Sequence, residues 1–344
     1  MITFERLELS QVPWQELDDY SDRTVFQTRT WLDFVTATQG AEPVVAVIRD
    51  NGKIWGYFTG LLVKKFGIKI LGSPMKGWTT SYMGFNLLPG VSRVALLEGL
   101  STFAFKNLGC HHLEIVDRRI AEKDITNLSF EIQGYPTYEI DLTRSEDEIY
   151  GDMSNSCRWR IRKGAKSGVV VEEAAAPGFA DDYYAQLQDV FAKQSLVPTY
   201  GIERVRSLIN KLHPTGNLLL LRALSPEAEC IATGIFPAFN DTAFFWGGAS
   251  WRQHQFLSPN EAIIWQAMRY WKARGMEKFD MAGGEYKKKY GGRALAVPRL
   301  LKSRYGFLLP LRNAAQSLWK RRQQLLGVFK AKANVARRWI PYDE

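Results

Sequence analysis

The sequence predicts an α/β (α+β) fold of two related units in tandem, each a mixed, mostly antiparallel sheet flanked by helices, followed by a basic helical tail. An order of predicted elements that occurs twice is the main observation. A hydrophobic content of 46% and an aromatic content of 13% are typical of a folded globular chain. The 344 residues suffice for two ordinary domains. We expect the units at residues 1–140 and 141–305 and the tail at 306–344.

The first unit opens with a hairpin. Residues 43–48 and 54–63 are apolar, strand-forming runs, and Asp50-Asn51-Gly52 between them is a turn sequence. Further strands are predicted at 68–71, 79–85 and 112–116, with a helix over 91–108 that ends at Gly109.

The same order of elements recurs in the second unit. Its predicted elements are a helix over 181–194, strands at 217–222, 230–237 and 242–248, a helix over 259–274 and a strand at 276–281. In both units a helix ends at a glycine, Gly109 or Gly275, and a strand begins within a few residues. This echo indicates internal duplication. The alternative is two unrelated segments that share common elements.

One helix is predicted between the units, over residues 145–166. Ser145 is a suitable N-cap, and acidic residues fill the first turn, as the helix dipole favours. The helix ends in a basic cluster, is stopped by Gly168 and is followed by a strand from Val169. The cluster consists of Arg158, Arg160, Arg162, Lys163 and Lys166.

Charge and composition narrow the class of protein. No apolar run approaches the roughly 20 residues of a membrane-spanning helix, and the N-terminus lacks the pattern of a secretion signal. Three cysteines far apart form neither a metal-binding spacing nor a disulfide framework, so we expect a cytoplasmic protein without a metal site. Its oligomeric state is not predicted.

The basic excess is concentrated at the C-terminus. Residues 285–344 carry 15 Lys and Arg against 3 acidic residues, a net charge of +12, so residues 1–284 sum to −3 within the total of +9. Residues 308–339 combine basic and aromatic positions, which predicts amphipathic helices in peripheral contact with anionic lipid at the inner face of the membrane. Packing on the second unit and tRNA binding are the alternatives.

The most informative segment is 276–292. A short apolar run reaches the acid Asp280, two glycines follow, and then the lysines 287–289 stand between Tyr286 and Tyr290. This pattern is typical of groups that bind phosphate at the edge of a sheet. A turn followed by a solvated basic helical turn is the plain alternative.

Three segments together resemble the Fem-type aminoacyltransferases and their exopolysaccharide-locus relatives, which belong to the GNAT superfamily. Residues 138–142 are followed by Arg158-Trp159-Arg160-Ile161-Arg162-Lys163-Gly164-Ala165-Lys166-Ser167-Gly168-Val169, similar to the family's R-x-x-I-x-K-A-x-x-x-G-V. The helix and strand at 259–280 come next. Residues 286–291 resemble the family's F-K-x-x-F-G, with tyrosine at both aromatic positions.

The resemblance implies two GNAT-like domains and transfer of an acyl or aminoacyl group to an amine or hydroxyl of a peptidoglycan or exopolysaccharide precursor. The implied donor is acyl-CoA or aminoacyl-tRNA, used as a co-substrate without a tightly bound cofactor. The implied acceptor is a nucleotide- or lipid-linked saccharide or muropeptide. The chain departs from the superfamily because no Q/R-x-x-G-x-G/A loop precedes either helix, which weakens the case for acetyl-CoA.

The resemblance also selects site residues. Lys287 occupies the lysine of the motif, where its ammonium could neutralise a phosphate or an oxyanion. Asp280 could act as a base or orient Lys287. Arg158, Arg162 and Lys163 are expected to bind phosphates, with a solvated helix end as the alternative. We assign Tyr286 to substrate binding or packing.

No nucleophile with a neighbouring base is visible in the sequence. The four histidines lack a motif, and Cys157 beside Arg158 is a candidate thiol of lowered pKa, with a buried small side chain as the alternative. We therefore expect direct transfer without a covalent enzyme intermediate. The alternative function is a non-catalytic tandem-GNAT protein that binds anionic lipid or RNA as an envelope-assembly factor.

Overall fold

The structure, a computed structural model, describes residues 2–307 and 310, except 66, 122, 124, 126, 127, 194 and 195. Its strands are β1 (Ile2–Leu7), β2 (Glu42–Asp50), β3 (Lys53–Lys65), β4 (Ile68–Ser73), β5 (Gly84–Leu87), β6 (His112–Ile115), β7 (Glu131–Asp141), β8 (Val170–Glu173), β9 (Leu218–Leu224), β10 (Cys230–Phe239), β11 (Thr242–Phe244), β12 (Gly247–Ser250), β13 (Lys278–Asp280) and β14 (Arg293–Ser303). Within these residues they form one mixed, mostly antiparallel sheet with the order β1-β2-β3-β4-β6-β14-β7-β13-β11-β10-β9-β8, to which β5 adds beside β3 and β12 beside β10.

The helices flank this sheet on both faces. They are α1 (Trp14–Asp18), α2 (Arg29–Gln39), α3 (Arg93–Thr102), α4 (Glu146–Asp152), α5 (Asn155–Lys166), α6 (Ala176–Ala192), α7 (Ile202–Leu212) and α8 (Pro259–Ala273). The sequence analysis did not identify α2, α7, β1 or β14.

Side chains alternate between the two faces of the sheet along each strand, and a layer of helices covers each face. In β2, Val45 and Val47 face a core shared with α2, α6 and α7, which pack on one face of both halves. Val44 and Ala46 face the opposite side, where α3 covers the first half. Helices α5 and α8 cover that opposite side in the second half. Both faces of the sheet are therefore buried, which explains its long apolar strands.

The duplication is visible in the strand pairing. Helix α3 leads to β6, which pairs in parallel with β4, and α8 leads to β13, which pairs in parallel with β11. Most other pairs are antiparallel. The predicted mixed, mostly antiparallel sheet with flanking helices is therefore present, with the two halves joined in one sheet.

Strand β14 joins the two halves. It pairs antiparallel with β6 of the first half, where Leu300 lies opposite Ile115, and with β7, where Arg293 lies opposite Glu139. The boundary between residues 140 and 141 stays a prediction. It falls at the end of β7, in the middle of the continuous sheet.

The single helix predicted over 145–166 is wrong, because the chain forms α4 and α5 with a break at Met153 and Ser154. Met153 is extended, with ψ 146°, and the Ser154 hydroxyl caps α5 by accepting from the Cys157 N–H at 3.2 Å. The break receives the segment Glu285–Tyr290, since the Ser154 N–H donates to the Lys289 carbonyl at 2.9 Å. The approach is close enough to require Gly291, where an added Cβ would lie 2.8 Å from the Asp152 backbone.

Two predicted strands are also interrupted. Residues 79–83 are not strand, since Thr79 is left-handed with φ 53°, and β5 begins only at Gly84. The strand predicted over 242–248 divides into β11 and β12 at Phe245 and Trp246. The N–H groups of these two residues donate to the carbonyls of Asp280 and Ile235.

No helix in the described ranges combines the length and apolar character needed to cross a bilayer. The amphipathic tail predicted at 308–339 lies, apart from residue 310, outside the described residues.

Substitution of Phe26 tests the packing between the halves. Its ring lies 4.7 Å from that of Phe244 in β11 and 4.7 Å from that of Trp31 in α2. Because the side chain is almost fully buried, we expect Phe26→Ala to lower the free energy of unfolding by about 3–5 kcal/mol, measured by urea denaturation. The matched control is Phe256→Ala at an exposed ring, with an expected change within about 0.5 kcal/mol. Equal effects of the two substitutions would contradict the prediction.

Candidate active site

Lys287 is buried just beyond the C-terminal end of β13, an inner strand of the sheet. It lies in the short 3₁₀ segment Glu285–Tyr290 and is 6% exposed. Its ammonium donates to the Met281 carbonyl and lies 4.7 Å from the centre of the Phe245 ring and 5.7 Å from that of Tyr286. One backbone acceptor and two aromatic faces thus surround a single cation, which fixes its position.

Burial alters the titration of this lysine. It lowers the pKa of Lys287 from 10.5 to about 8, and the charge of Asp280 opposes part of that drop. The ammonium therefore predominates at neutral pH, yet it is much more acidic than a surface lysine. Such a group can act as a fixed positive charge.

Asp280 is fully buried at the end of β13. One carboxylate oxygen accepts from the Tyr82 hydroxyl at 2.9 Å, and the other accepts from the Thr137 hydroxyl and the Ala282 N–H, each at 2.7 Å. A carboxylate enclosed in this way does not reach substrate in this conformation. The arrangement fits the orienting role predicted for Asp280 and disfavours the role of base.

The other predicted residues lie outside this centre. Arg158 bends back to the Gly151 carbonyl and Asn155, Arg162 donates to the Tyr150 hydroxyl at 3.2 Å, and the Lys163 ammonium lies over Trp159 at 5.0 Å. None of these three cations lines either of the two cavities at the ends of β11 and β13 and of α8, as far as the structure describes their walls. Their phosphate-binding role stays a prediction.

The three lysines 287–289 differ in their exposure and in their contacts. Lys288 faces solvent. Lys289 does not, because it is half-buried and its ammonium pairs with the buried Glu261 carboxylate of α8 at 2.6 Å. Tyr286 is 62% exposed and lines a cavity, which is compatible with a role in binding.

A cavity of about 280 Å³ lies between the halves; we call it the cleft cavity. Its walls come from one loop of the first half, from β7 and β14, and from the ends of β11 and β13. The lining residues are Lys76, Gly77, Trp78, Thr79, Thr80, Ser81, Gln133, Gly134, Phe245, Trp246, Ala282 and Arg299.

Two of these lining residues have unusual backbone conformations. Thr79 and Ala282 are non-glycine residues with φ 53° and 54°. The Trp246 indole N–H fixes the Thr79 carbonyl at 2.9 Å, and the Asp280 carboxylate fixes the Ala282 N–H. Non-glycine residues in this region are uncommon and concentrate at functional sites.

A second cavity, of about 270 Å³, lies at the N-terminal end of α8; we call it the helix cavity. Its walls come from α6, β10, β12, α8, the Lys287 segment and the links before β12 and α8. The lining residues are Val190, Thr233, Phe245, Gly248, Ala249, Ser250, Gln255, Asn260, Glu261, Ile263, Ile264, Tyr286, Lys289 and Tyr290. The N-terminus of a helix favours negative charge in a ligand.

The thiol suggested by the sequence is not activated. Cys157 is fully buried against Met153, and burial raises the pKa of its thiol to about 11. A reactive cysteine needs a lowered pKa and access to substrate. In the described part of the chain, no group of His, Cys, Asp and Glu is arranged to hold a metal ion.

Sequence reasoning missed Phe245, Trp246, Tyr82 and Thr137 as members of the site. Tyr82 and Thr137 approach Asp280 from far along the chain, so no local pattern reveals them. Phe245 and Trp246 were hidden because 242–248 was interpreted as one strand. Two large aromatic residues beside Gly247-Gly248 were a signal of an interruption.

Comparison with known protein families gives a match in the second half of the chain. Residues 151–290 match the family model of the acetyltransferase (GNAT) domain. This segment is similar to a GNAT domain. It includes Lys287, Asp280 and all the described lining residues of the helix cavity.

Solved structures extend the likeness in fold to most of the chain. The structure of FemX has 14% identity, with 89% of this chain and 99% of FemX covered at a TM-score of 0.71. A tandem GNAT protein of the clavulanic acid pathway has 10% identity, with coverages of 88% and 98% and a TM-score of 0.54. L-PGS from Bacillus licheniformis has 10% identity, with coverages of 85% and 96% and a TM-score of 0.52. Curated protein sequences give no significant match.

These identities show the fold. Together with the domain match over residues 151–290, they confirm the predicted Fem-like, tandem-GNAT fold.

The environment of Lys287 can be tested with Asp280→Asn. This substitution keeps the shape of the side chain and removes its charge, so we expect the pKa of Lys287 to fall below its value of about 8. Side-chain NMR of labelled lysine would measure the titration. Asp241→Asn, at the acid that pairs with Lys278, is the control and should leave the pKa of Lys287 unchanged. An unchanged or raised pKa in Asp280→Asn would show that the two groups are not coupled.

Lys287→Met is expected to stabilise the fold. The folded-state pKa lies below the unfolded one, so burial of the charge is costly at pH values below about 8, and the cost fades as the pH rises to 10.5. The shift corresponds to roughly 3 kcal/mol, from which the lost contacts of the ammonium subtract. Urea unfolding at pH 7 and pH 10 should show a larger gain at pH 7, and Lys288→Met should show no gain. A loss of stability at pH 7 would refute this account.

Proposed function

We propose that the chain transfers an acyl or aminoacyl group directly from a co-substrate to an amine or hydroxyl of a saccharide precursor of the cell envelope, either peptidoglycan or exopolysaccharide. The observation that carries this proposal is the buried Lys287 ammonium, which is in neither cavity lining but lies 4.7 Å from the centre of the Phe245 ring that lines both. Transfer between two substrates requires both to reach one point, where the developing oxyanion meets a fixed positive charge.

Lys287 has the properties of the group that stabilises the oxyanion. Its position is fixed before substrate binds, so no reorganisation is needed during the reaction. Its low-dielectric surroundings strengthen its attraction for a negative charge. In the proposed reaction, the acceptor attacks the acyl carbon, the bond to the leaving group breaks, and the acceptor's proton passes to the leaving group. This direct route has no covalent enzyme intermediate. The Cys157 thiol is unsuited to form one, because it is buried and its pKa is raised.

The chemistry of the cleft cavity supports a saccharide acceptor. Trp78 and Trp246 provide aromatic faces against which the C–H groups of a sugar ring can pack, and the hydroxyls of Thr79, Thr80 and Ser81 can bond to sugar hydroxyls. The charged side chains of the described lining are Lys76 and Arg299. Arg299 is paired with the buried Glu114 carboxylate at 3.1 Å, whereas the exposed Lys76 donates to the Gln133 side chain at 3.2 Å. Lys76 is therefore the cation better placed to meet a phosphate or carboxylate of the acceptor.

The helix cavity is the proposed binding region of the acyl donor. It opens at the N-terminus of α8, and the GNAT domain that contains it belongs to enzymes that transfer acyl groups. The donor is either acyl-CoA or aminoacyl-tRNA. The outer face of α5 (Arg158, Arg162, Lys163 and Lys166) has no ion pair with the described carboxylates, so it is available for the phosphates of a donor or acceptor.

Turnover tests this function. Purified protein is incubated with acetyl-CoA or a mixture of aminoacyl-tRNAs as donor and a UDP-linked amino sugar or muropeptide as acceptor, and products are identified by mass spectrometry. We expect transfer with at least one pair, and a fall in kcat/KM of about 10²–10³-fold in Lys287→Met. Lys288→Met, with the same change of side chain at a solvent-facing position, should remain within about twofold.

Two results would contradict the proposal. Full activity in a folded Lys287→Met protein would remove the lysine from the mechanism. Absence of both donor binding and transfer for every pair would favour the non-catalytic alternative, in which the chain binds lipid or RNA.

A further inference from the structure

Phe245 occupies the interruption between β11 and β12. Its N–H donates to the Asp280 carbonyl at 2.8 Å, which ties the residue to the end of β13. Its ring lies 5.6 Å from that of Phe236 and 4.7 Å from the Lys287 ammonium. Gly248 leaves space for this ring, because an added Cβ there would lie 3.0 Å from the ring atoms. The backbone is anchored, while the ring is held by weaker contacts.

The ring of Phe245 also separates two spaces. Among the described residues, Phe245 is the one that the linings of the cleft cavity and the helix cavity share. Trp246 and Ala282 lie on the cleft side, and Gly248 and Tyr286 lie on the helix side. An acceptor in the first cavity and a donor in the second would therefore meet at this ring.

We propose that the Phe245 side chain is the partition that decides whether the acyl group reaches the acceptor or water. With the cleft cavity empty, the ring covers the Lys287 ammonium and excludes water from the end of the helix cavity. An acceptor that fills the cleft displaces the ring by rotation about its side-chain bonds, and the ammonium then faces the acyl carbonyl. This inference rests on the proposed function and adds a residue that determines specificity.

The physical basis is the mixed character of the contact. An aromatic face stabilises a cation, yet it cannot bond to an oxyanion, so the closed ring covers an ammonium that is already in position. The Phe245 side chain is half-buried and has no hydrogen-bonding group, so its ring can rotate without breaking a hydrogen bond. Water is the competing acceptor, and its attack produces the free acid and the protonated leaving group. A partition that opens only for the true acceptor suppresses this loss.

The first test measures hydrolysis and transfer for the donor–acceptor pair that wild-type protein accepts. Phe245→Ala removes the ring, and we expect the ratio of donor hydrolysis to transfer to rise about tenfold or more. Phe245→Tyr keeps the ring and should stay within about twofold of wild type. Phe245→Leu keeps bulk without an aromatic face and guards against a variant that fails to fold. Phe256→Ala, at an exposed ring outside both linings, is the control.

A second measurement does not depend on turnover. Cyanate carbamylates unprotonated lysines, so the labelling is done at about pH 11, where Lys287 is mostly unprotonated with or without the ring and its rate reports access. Peptide mass spectrometry gives the rate at Lys287 relative to Lys289. We expect Phe245→Ala to raise this relative rate about fivefold or more, because it exposes the amine, and Phe256→Ala to leave it unchanged.

The two readouts separate the two ideas. Raised labelling of Lys287 together with an inactive wild-type protein would support the covering of Lys287 by the ring and contradict the proposed function. An active wild-type protein whose hydrolysis ratio is the same in folded Phe245→Ala would overturn the partition. Unchanged labelling of Lys287 in that variant would also overturn it.

Discussion

The buried carboxylate of Asp280 is the interaction on which the site depends. It accepts hydrogen bonds from Tyr82 in the first half, from Thr137 in β7 and from the backbone of Ala282. The last bond holds the left-handed turn that leads to Lys287, and the charge of Asp280 supports that ammonium. A fully buried carboxylate is costly unless its oxygens are satisfied. These three donors therefore stabilise the acid and at the same time fix the two halves, the turn and the lysine relative to each other.

The region around Lys287 combines several features that lower the stability of the fold. A lysine whose pKa is lowered by burial, two non-glycine residues in left-handed conformations and a strand interrupted at Phe245 and Trp246 are each unfavourable alone. They lie together where the two cavities meet. The extensive apolar cores on both faces of the sheet provide the stability that tolerates them.

The sequence was most informative where a local pattern carries the structure. The helix, glycine and strand before Asp280 predicted α8 and β13 nearly to their ends, and the motif resemblance singled out Lys287, which the structure shows buried beside the cavities. Features set by distant residues were not predictable. Tyr82 meets Asp280 from 198 residues away, and the break at Met153 and Ser154 forms because the segment around Lys289 docks there. Strand β14 was missed because its partners lie in both halves.

That strand has a consequence for how the molecule is made. Because β14 lies between β6 and β7, the sheet cannot close until residues 293–303 have left the ribosome. Until then β6 and β7, whose other sides pair with β4 and β13, each have one unpaired backbone edge, and such edges readily pair with other chains. The strand that joins the two halves thus becomes available only after both of its neighbours in the sheet have been synthesised.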